Sequence, residues 1–583
     1  MRKYILIIIL FVAITYCNTL LNNFVGDDNY TVSKNRFIAS WKNFPSLFSK
    51  QYLNTSDNIV FNFSHRKDYG AGEITYRPVV TLSYMLDYSL WKRNAFGYHL
   101  TSLLLHTLNA ILVYVFALLL TKNNPVSFFS GLIFGTHPLA TEAVNSISAR
   151  EELFVVFFLI TAFISFIYHK RQKGFRRIFL YAASCLLFLL GTFSKETAIV
   201  FPALIMLYDF LFEFDCSARK FLSSLKRYAG YIAAAAFYLI VYFFIFSPQG
   251  EDSLAYANGS LYTQFLTIAV IFARYISTFL APLTVAIIPS FYYPSAKSVL
   301  DYEVFMSILF LFLLAVGVVK SYKRSRIIFF AAAWFFIAIL PVSNIFFRLV
   351  NMFALRYVYL PLVGLSIAAA VVIMRLADFS AVRRMLPDAD KVIMVFVIGA
   401  CMAVAAPQNI AWRNEFTFGK DQVMYYPYSA EPYQAIAKHY FDRGYFQKSI
   451  DNLKISLKYK PIDSLSYNSL GVSYFELGMF DKAVSAFNIA IKIRPTFSEA
   501  HYNLGVVYLD KKDFQKAAEL FEKTLKLDPL YIEAYNNLGV AYLELGRKED
   551  AIKMFEKALE ISPHHELTEA NLKLLTKSPQ EEK

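Results

Sequence analysis

Tyr467-Asn468-Ser469-Leu470-Gly471-Val472-Ser473-Tyr474 returns two periods later as Tyr535-Asn536-Asn537-Leu538-Gly539-Val540-Ala541-Tyr542, and Pro427, Pro461, Pro495, Pro529 and Pro563 punctuate the chain every 34 residues. A period of that length, with small and aromatic residues at fixed places and a proline at the end, is one pair of antiparallel helices. Such a pair cannot bury its apolar face alone, so successive pairs stack into a curved α-solenoid with a concave groove. Grooves of this kind hold extended peptide or protein segments, which makes the concave face of residues 427–570 the expected surface for binding another protein.

The positions match tetratricopeptide repeats in detail. One repeat reads Tyr467, Leu470, Gly471, Tyr474, Ala483, Phe487, Ala490, Pro495, and another reads Tyr535, Leu538, Gly539, Tyr542, Ala551, Phe555, Ala558, Pro563. A third keeps Leu504, Gly505, Tyr508, Ala517, Phe521 and Pro529, while the first is degenerate, with Ile436, Ala437, Tyr440 and then Ser449 where alanine is usual. Small residues let the two helices approach and aromatics fill the space between them.

Upstream of the repeats the composition changes character. The whole chain is 56% hydrophobic and 17% charged, too apolar for a soluble protein of 583 residues. From Pro427 onward there are 21 Lys and Arg against 22 Asp and Glu, leaving 37 against 22 for the rest, so the excess of +14 lies in the apolar part. That bias fits the basic cytoplasmic loops of a polytopic membrane protein. No basic stripe interleaved with aromatics suggests nucleic acid. The four cysteines, Cys17, Cys185, Cys216 and Cys401, lie in or beside apolar runs without C-x-x-C spacing, as inert fillers do.

Runs long enough to cross roughly 30 Å of hydrocarbon occur at 4–22, 98–120, 125–146, 152–169, 177–194, 197–214, 228–247, 303–320, 327–346, 357–375 and 391–408, eleven in all. The first, flanked by Arg2 and Lys3 and lacking a small-residue cleavage site, reads as a retained span. Placing the basic segments 169–177, 219–227, 320–326 and 375–391 in the cytoplasm puts the N-terminus inside and the repeats outside. The apolar stretch 261–289 then fits as a re-entrant or interface-hugging segment. The domains are accordingly 1–408 for the membrane body, with a large first external loop at 23–94, a connector at 409–426, four repeats at 427–570 and a polar tail at 571–583. In this topology every candidate site residue falls on the non-cytoplasmic face.

Asp27 and Asp28 follow the first span by about four residues. A carboxylate at that level can meet the head group of a membrane-bound donor and the hydroxyl of an external acceptor together, and partial desolvation raises its basicity. The plain alternative is a solvated acidic turn. His137 and Glu142 lie in His137-Pro138-Leu139-Ala140-Thr141-Glu142, followed by Arg150, Glu151 and Glu152, and Lys195-Glu196 sits between two spans. Ionisable groups at membrane depth are costly and face a cavity or a partner; here the plain alternative is that Glu142 and Arg150 pair to join two helices. Arg77 and Arg356 suit an anion, because a guanidinium grips phosphate through two bonds, or they snorkel. His99 and His106 read as interior packing residues. Asp27, Asp28, His137 and Glu142 could be drawn together around a divalent metal, although their spacing imposes no coordination.

Together these residues resemble a family. Gly26-Asp27-Asp28, Tyr76-Arg77-Pro78, Gly97-Tyr98-His99, Leu105-His106, His137-Pro138 with Thr141-Glu142-Ala143-Val144, Arg150, Lys195-Glu196, Pro341-Val342-Ser343-Asn344, Arg356-Tyr357 with Tyr359-Leu360-Pro361, and the terminal repeats are similar, in order, to the transmembrane and tetratricopeptide repeat containing (TMTC) family. The resemblance implies an all-α GT-C type glycosyltransferase, a polyprenyl-phosphate sugar donor carrying mannose, and O-mannosylation of protein Ser or Thr. It assigns Asp27 and Asp28 to the acidic motif in which one carboxylate is the base. Arg77, Arg150, Lys195 and Arg356, with His137 and Glu142, become candidates for holding the donor phosphate or organising the site. Leu355 stands where the family often has an acid, which puts the role of Arg356 in question, and residues 52–73 match no part of the pattern. Two other readings keep the same chain: a GT-C transferase acting on a lipid or polysaccharide, and a non-enzymatic membrane scaffold with a docking domain. No internal symmetry of the transporter kind is seen in the membrane part.

Overall fold

In the computed structural model the described residues are 1–48, 76–246, 260–282, 296, 298–345, 352–379, 384, 388–425, 427–563 and 565–576. They are helical throughout, with no strand among them. The chain divides into two compact units, Met1–Tyr425 and Tyr426–Lys583.

In the first unit, eight helices among the described residues are long and apolar enough to cross a membrane. They are Arg2–Leu21, Ala95–Thr121, Arg150–His169, Gly174–Ser194, Leu225–Phe244, Leu261–Leu280, Tyr302–Arg324 and Ala389–Ala411. Shorter apolar helices cover Arg326–Val342 and Pro361–Ala377. Two of the runs read as spans are interrupted. The helix Asn124–Thr136 stops because Pro138 drives His137 into extended backbone, and the chain resumes as Pro138–Ala140 and the short helix Thr141–Asn145. The run 197–214 is likewise split into a 3-10 turn Glu196–Val200, a helix Phe201–Tyr208 and one π turn Asp209–Glu213, after Lys195 leaves the helical region at φ −162°, ψ 141°.

The stretch 261–289, read as a re-entrant or interface-hugging segment, is described over 261–282. Leu261–Leu280 is one continuous helix of membrane length; residues 283–295 lie outside the described residues. The helix is held by its inner face: Tyr275 stacks on Phe353 with ring centres 4.5 Å apart and donates its hydroxyl to the Ala354 carbonyl at 3.1 Å. The core of this unit is aromatic, with Trp334 packed among Phe116, Phe163 and Phe330.

In the second unit the helix pairs are Glu431–Phe441 with Phe446–Tyr459, Ser464–Glu476 with Phe480–Ile493, Ser498–Asp510 with Phe514–Leu527, and Ile532–Glu544 with Lys548–Ile561. The repeat glycines are required by close approach. A Cβ built on Gly471, Gly505 or Gly539 would sit 2.6, 2.7 or 2.6 Å from the ring of Phe487, Phe521 or Phe555. Ser449, at the alanine position of the first repeat, is buried and pairs its hydroxyl with that of Ser473 at 3.2 Å. A last helix, Glu566–Thr576, runs past residue 570, and both Thr568 and Asn571 donate to the side-chain carbonyl of Asn536 at 3.1 and 3.0 Å.

Candidate active site

The first helix tightens into a 3-10 turn, Cys17–Leu21, and the chain then turns extended at Asn22. An amide lattice fixes that exit. Asn22 donates to Asn145 Oδ1 at 2.9 Å, Asn145 donates to Asn409 Oδ1 at 2.7 Å, and Asn409 donates to the Thr15 carbonyl at 2.8 Å and to Asn18 Oδ1 at 2.9 Å. Val25 is buried against Trp412. Gly26 follows in the left-handed region at φ +59°, which a side chain would resist, and the turn delivers Asp27 and Asp28 to opposite surroundings.

Asp28 is fully buried. Its carboxylate accepts from the Ile147 amide at 3.1 Å, the Ser148 amide at 2.7 Å and the Ser146 hydroxyl at 3.4 Å. Burial pushes this carboxyl up to about 7, against the pull of those bonds. Asp28 therefore anchors the acidic turn to the loop at 146–148. Asp27 is exposed, and its carboxylate has no hydrogen-bond partner among the described residues. Open to solvent on one side, it is still surrounded by enough protein that desolvation raises its carboxyl above the usual range; Arg356 pulls it down and Glu142 pushes it up.

Glu142 does not pair with Arg150. Its partner is Arg356, by Nη1 to Oε1 at 2.5 Å and from the Arg356 amide to Oε2 at 3.2 Å. Leu355 is buried in the apolar core, so the acid beside Arg356 comes from Glu142. The Arg356 side chain is 18% exposed.

Tyr357 joins this group to a second one, because both the Arg356 guanidinium and the Lys195 ammonium lie 5.3 Å from its ring centre. Lys195 pairs with Glu151 at 2.8 Å and Glu152 at 2.6 Å. Arg77, the residue before the Pro78–Trp91 helix, pairs with Glu151 and reaches Glu196 at 3.3 Å. Two cations here face three carboxylates, so Arg77 and Lys195 are neutralised within the protein.

Arg150 is elsewhere and fully occupied. With no exposed surface, it pairs with Asp87 at 2.7 Å and donates to the hydroxyls of Ser102 and Ser83, both at 3.2 Å, and to the Tyr98 carbonyl at 2.8 Å. Its guanidinium also lies over the rings of Tyr84 and Tyr98. It is a strut between helices. His137 is equally committed: Nδ1 accepts from the Leu139 amide and Nε2 lies 3.1 Å from the Phe279 carbonyl, with the ring stacked on Phe279 at 4.8 Å. His106 bridges the Tyr359 hydroxyl and the Gly135 carbonyl, and His99 is buried beside the Asn23 backbone. Asp27, Glu142, Arg356, Lys195 and Arg77 thus share one neighbourhood, while Arg150 and His137 spend their polar atoms on other partners. The metal set drawn from Asp27, Asp28, His137 and Glu142 is not assembled, and among the described residues no group of three or more His, Cys, Asp or Glu side chains is placed to hold a metal ion.

Sequence reasoning missed Asp87, Glu415 and the asparagine lattice, and held Tyr357 only as part of the Arg356-Tyr357 motif. Asp87 carried a signal, being the lone acid in the apolar Pro78–Trp91 helix. Glu415 and the asparagines carried none, since their partners lie more than a hundred residues away in sequence.

Comparison with known proteins places these observations beside named relatives. Models of the tetratricopeptide repeat match residues 497–564 and 473–512. A protein O-mannosyl-transferase of Caenorhabditis elegans is 24% identical over 76% of this chain and 60% of its own length. The human protein O-mannosyl-transferases TMTC2 and TMTC3 are 28% and 27% identical over 27% and 36% of this chain, and over 18% and 21% of their own lengths. The family likeness read from the motifs is upheld by these relatives, of which the chain spans three-fifths at most. A crystal structure of MamA is 31% identical over 25% of this chain and 85% of its own, with a TM-score of 0.24.

Proposed function

We propose that this protein is a membrane glycosyltransferase that moves a sugar, mannose in the first instance, from a polyprenyl-phosphate donor to Ser or Thr hydroxyls of a protein. The observation that carries the reading is Asp27: an open carboxylate without a hydrogen-bond partner among the described residues, fixed on a rigid turn, in the electrostatic range of an Arg356–Glu142 pair. The relatives named as protein O-mannosyl-transferases supply the reaction class.

The reaction is a single inverting displacement. Asp27 takes the proton of the acceptor hydroxyl as its oxygen bonds to the anomeric carbon, and the bond from that carbon to the phosphate oxygen breaks on the opposite face. The departing polyprenyl phosphate carries its charge toward Arg356, whose guanidinium is partly open, with Lys195 and Arg77 behind it. Asp28, Arg150 and His137 hold the frame. The reaction lies on the non-cytoplasmic face, where nucleotide sugars are confined away and a lipid-linked donor is needed. The repeats hold the acceptor, and tethering it to the enzyme raises its effective concentration.

The test is release of polyprenyl phosphate from labelled polyprenyl-phosphate mannose by the purified protein, with and without chelator, comparing wild type with Asp27→Asn. Release that depends on Asp27 supports the reading. Undiminished release by the variant overturns the base assignment, and no release with any lipid-linked sugar and added acceptor overturns the enzyme. Deleting residues 427–583 should abolish protein glycosylation while sparing donor hydrolysis; unchanged transfer to a glycan would favour a lipid or polysaccharide acceptor.

A further inference from the structure

The turn bearing Asp27 is gripped on two sides. On one side Asp28 is bonded into the loop at 146–148. On the other, a segment near the end of the first unit closes over the turn. The Gly26 amide donates to Glu415 Oε1 at 2.9 Å, and the Asn29 side-chain amide donates to the same oxygen at 2.7 Å. The Asn23 amide donates to the Arg413 carbonyl at 3.0 Å. Val25 packs on Trp412, whose ring lies 4.7 Å from that of Phe418.

One carboxylate oxygen thus joins the residues before and after the acidic pair. Gly26 needs such a grip, because a glycine at positive φ has many alternatives of similar energy and nothing in its own side chain to choose among them. Asp27 makes no side-chain hydrogen bond to described residues, so its direction is inherited from its neighbours. A base displaced by about 1 Å from the acceptor proton loses on the order of a hundredfold in rate.

We propose that Glu415 is a positioning residue for Asp27: its carboxylate pins the Gly26 turn and so aims the base, without touching substrate. This rests on the reading of Asp27 as the base. Glu415 opens the helix Glu415–Tyr425, directly after the Trp412-Arg413-Asn414 turn that ends the last membrane-length helix. The same short segment that leaves the membrane body therefore sets the geometry of the site.

The acceptor role needs an oxygen at that position and not a charge, which separates the variants. In the full-length protein, Glu415→Gln keeps the oxygen and Glu415→Ala removes it. Hydrogen exchange at the Gly26 amide, read by fragment mass spectrometry, should quicken at least tenfold in Glu415→Ala and stay within threefold of wild type in Glu415→Gln. In the donor-release assay, kcat should fall at least tenfold in Glu415→Ala with KM for the donor within twofold, and Glu415→Gln should restore most of it. Thermal stability should be shared by both variants.

Unchanged exchange at Gly26 in Glu415→Ala overturns the grip. Wild-type kcat in Glu415→Ala, alongside an inactive Asp27→Asn, overturns the positioning role while leaving the base assignment standing. A loss that Gln fails to rescue, and that tracks falling thermal stability, reduces Glu415 to a structural residue and overturns the proposal. An active Asp27→Asn overturns the reading on which it rests, whereas the exchange measurement reports on the grip regardless.

Discussion

Arg150 was a candidate for the donor phosphate, and its surroundings make a quantitative case against that role. Arg150→Met strands the Asp87 carboxylate, of which 6% is exposed, and Asp87→Leu strands a guanidinium with no exposure at all. At 2.7 Å and an effective dielectric of about 20, the pair attracts by about 6 kcal/mol. Desolvation offsets part of that in the intact protein, but a single substitution leaves the desolvation cost of the survivor in place, so each should cost about 3–5 kcal/mol. Arg150→Met together with Asp87→Leu removes both charges and should be more stable than the two single losses sum to, by about 2–3 kcal/mol. The assay is denaturation in mixed micelles followed by tryptophan fluorescence on the four proteins of the cycle. Losses that add to within about 0.5 kcal/mol would refute the strut. A double variant that regains stability yet no longer releases polyprenyl phosphate would return Arg150 to the donor.

Other outcomes follow from the same geometry. The Asp27 carboxyl is raised, and a base must be ionised, so kcat/KM should fall as pH drops through that raised value; Glu142→Gln, which removes a neighbouring negative charge and frees Arg356, should move this acid limb to lower pH. Asp28 binds its proton more tightly folded than unfolded, so its contribution to stability is largest below the ordinary carboxyl range and is lost as pH rises toward about 7. Asp28→Asn should erase that slope in a comparison of wild type and variant across pH 4–8, and should cost about 1–3 kcal/mol for the backbone amide left without an acceptor. Gly505→Ala and Gly539→Ala should each cost about 1–3 kcal/mol by overpacking against Phe521 and Phe555, with Phe555→Leu recovering part of the second loss; thermal melts of the full chain check both.

Legibility in the sequence followed the range of the forces. The repeats were readable because Gly471, Phe487 and their counterparts meet within one helix pair, so the steric requirement is written locally. Membrane character was readable from composition, but Pro138 broke the run 125–146, and the run 197–214 divided into a 3-10 turn, a short helix and a π turn, where apolarity alone suggested unbroken helices. In the site, Asp27 and Arg356 announced themselves as polar groups in apolar surroundings, whereas their partnerships did not. Glu142 reaches Arg356 across 214 positions, and no local pattern chooses it over Arg150, which is only eight residues away. Asp28 stood beside Asp27 as an equal, and only the loop at 146–148 separates an anchor from a free carboxylate.

The grip of Glu415 on Gly26 spans 389 positions, and that separation is also an interval of time. At about 5–20 residues per second of synthesis, Glu415 leaves the ribosome roughly 20–80 seconds after the turn it must hold. Throughout that interval the acidic turn stands without its second grip. A nascent chain, or one truncated before the connector, carries Asp27 but not the means to aim it. On the proposed function, competence for transfer is therefore conferred late, when the last membrane-length helix has been made and the chain has begun on the segment that leads to the repeats.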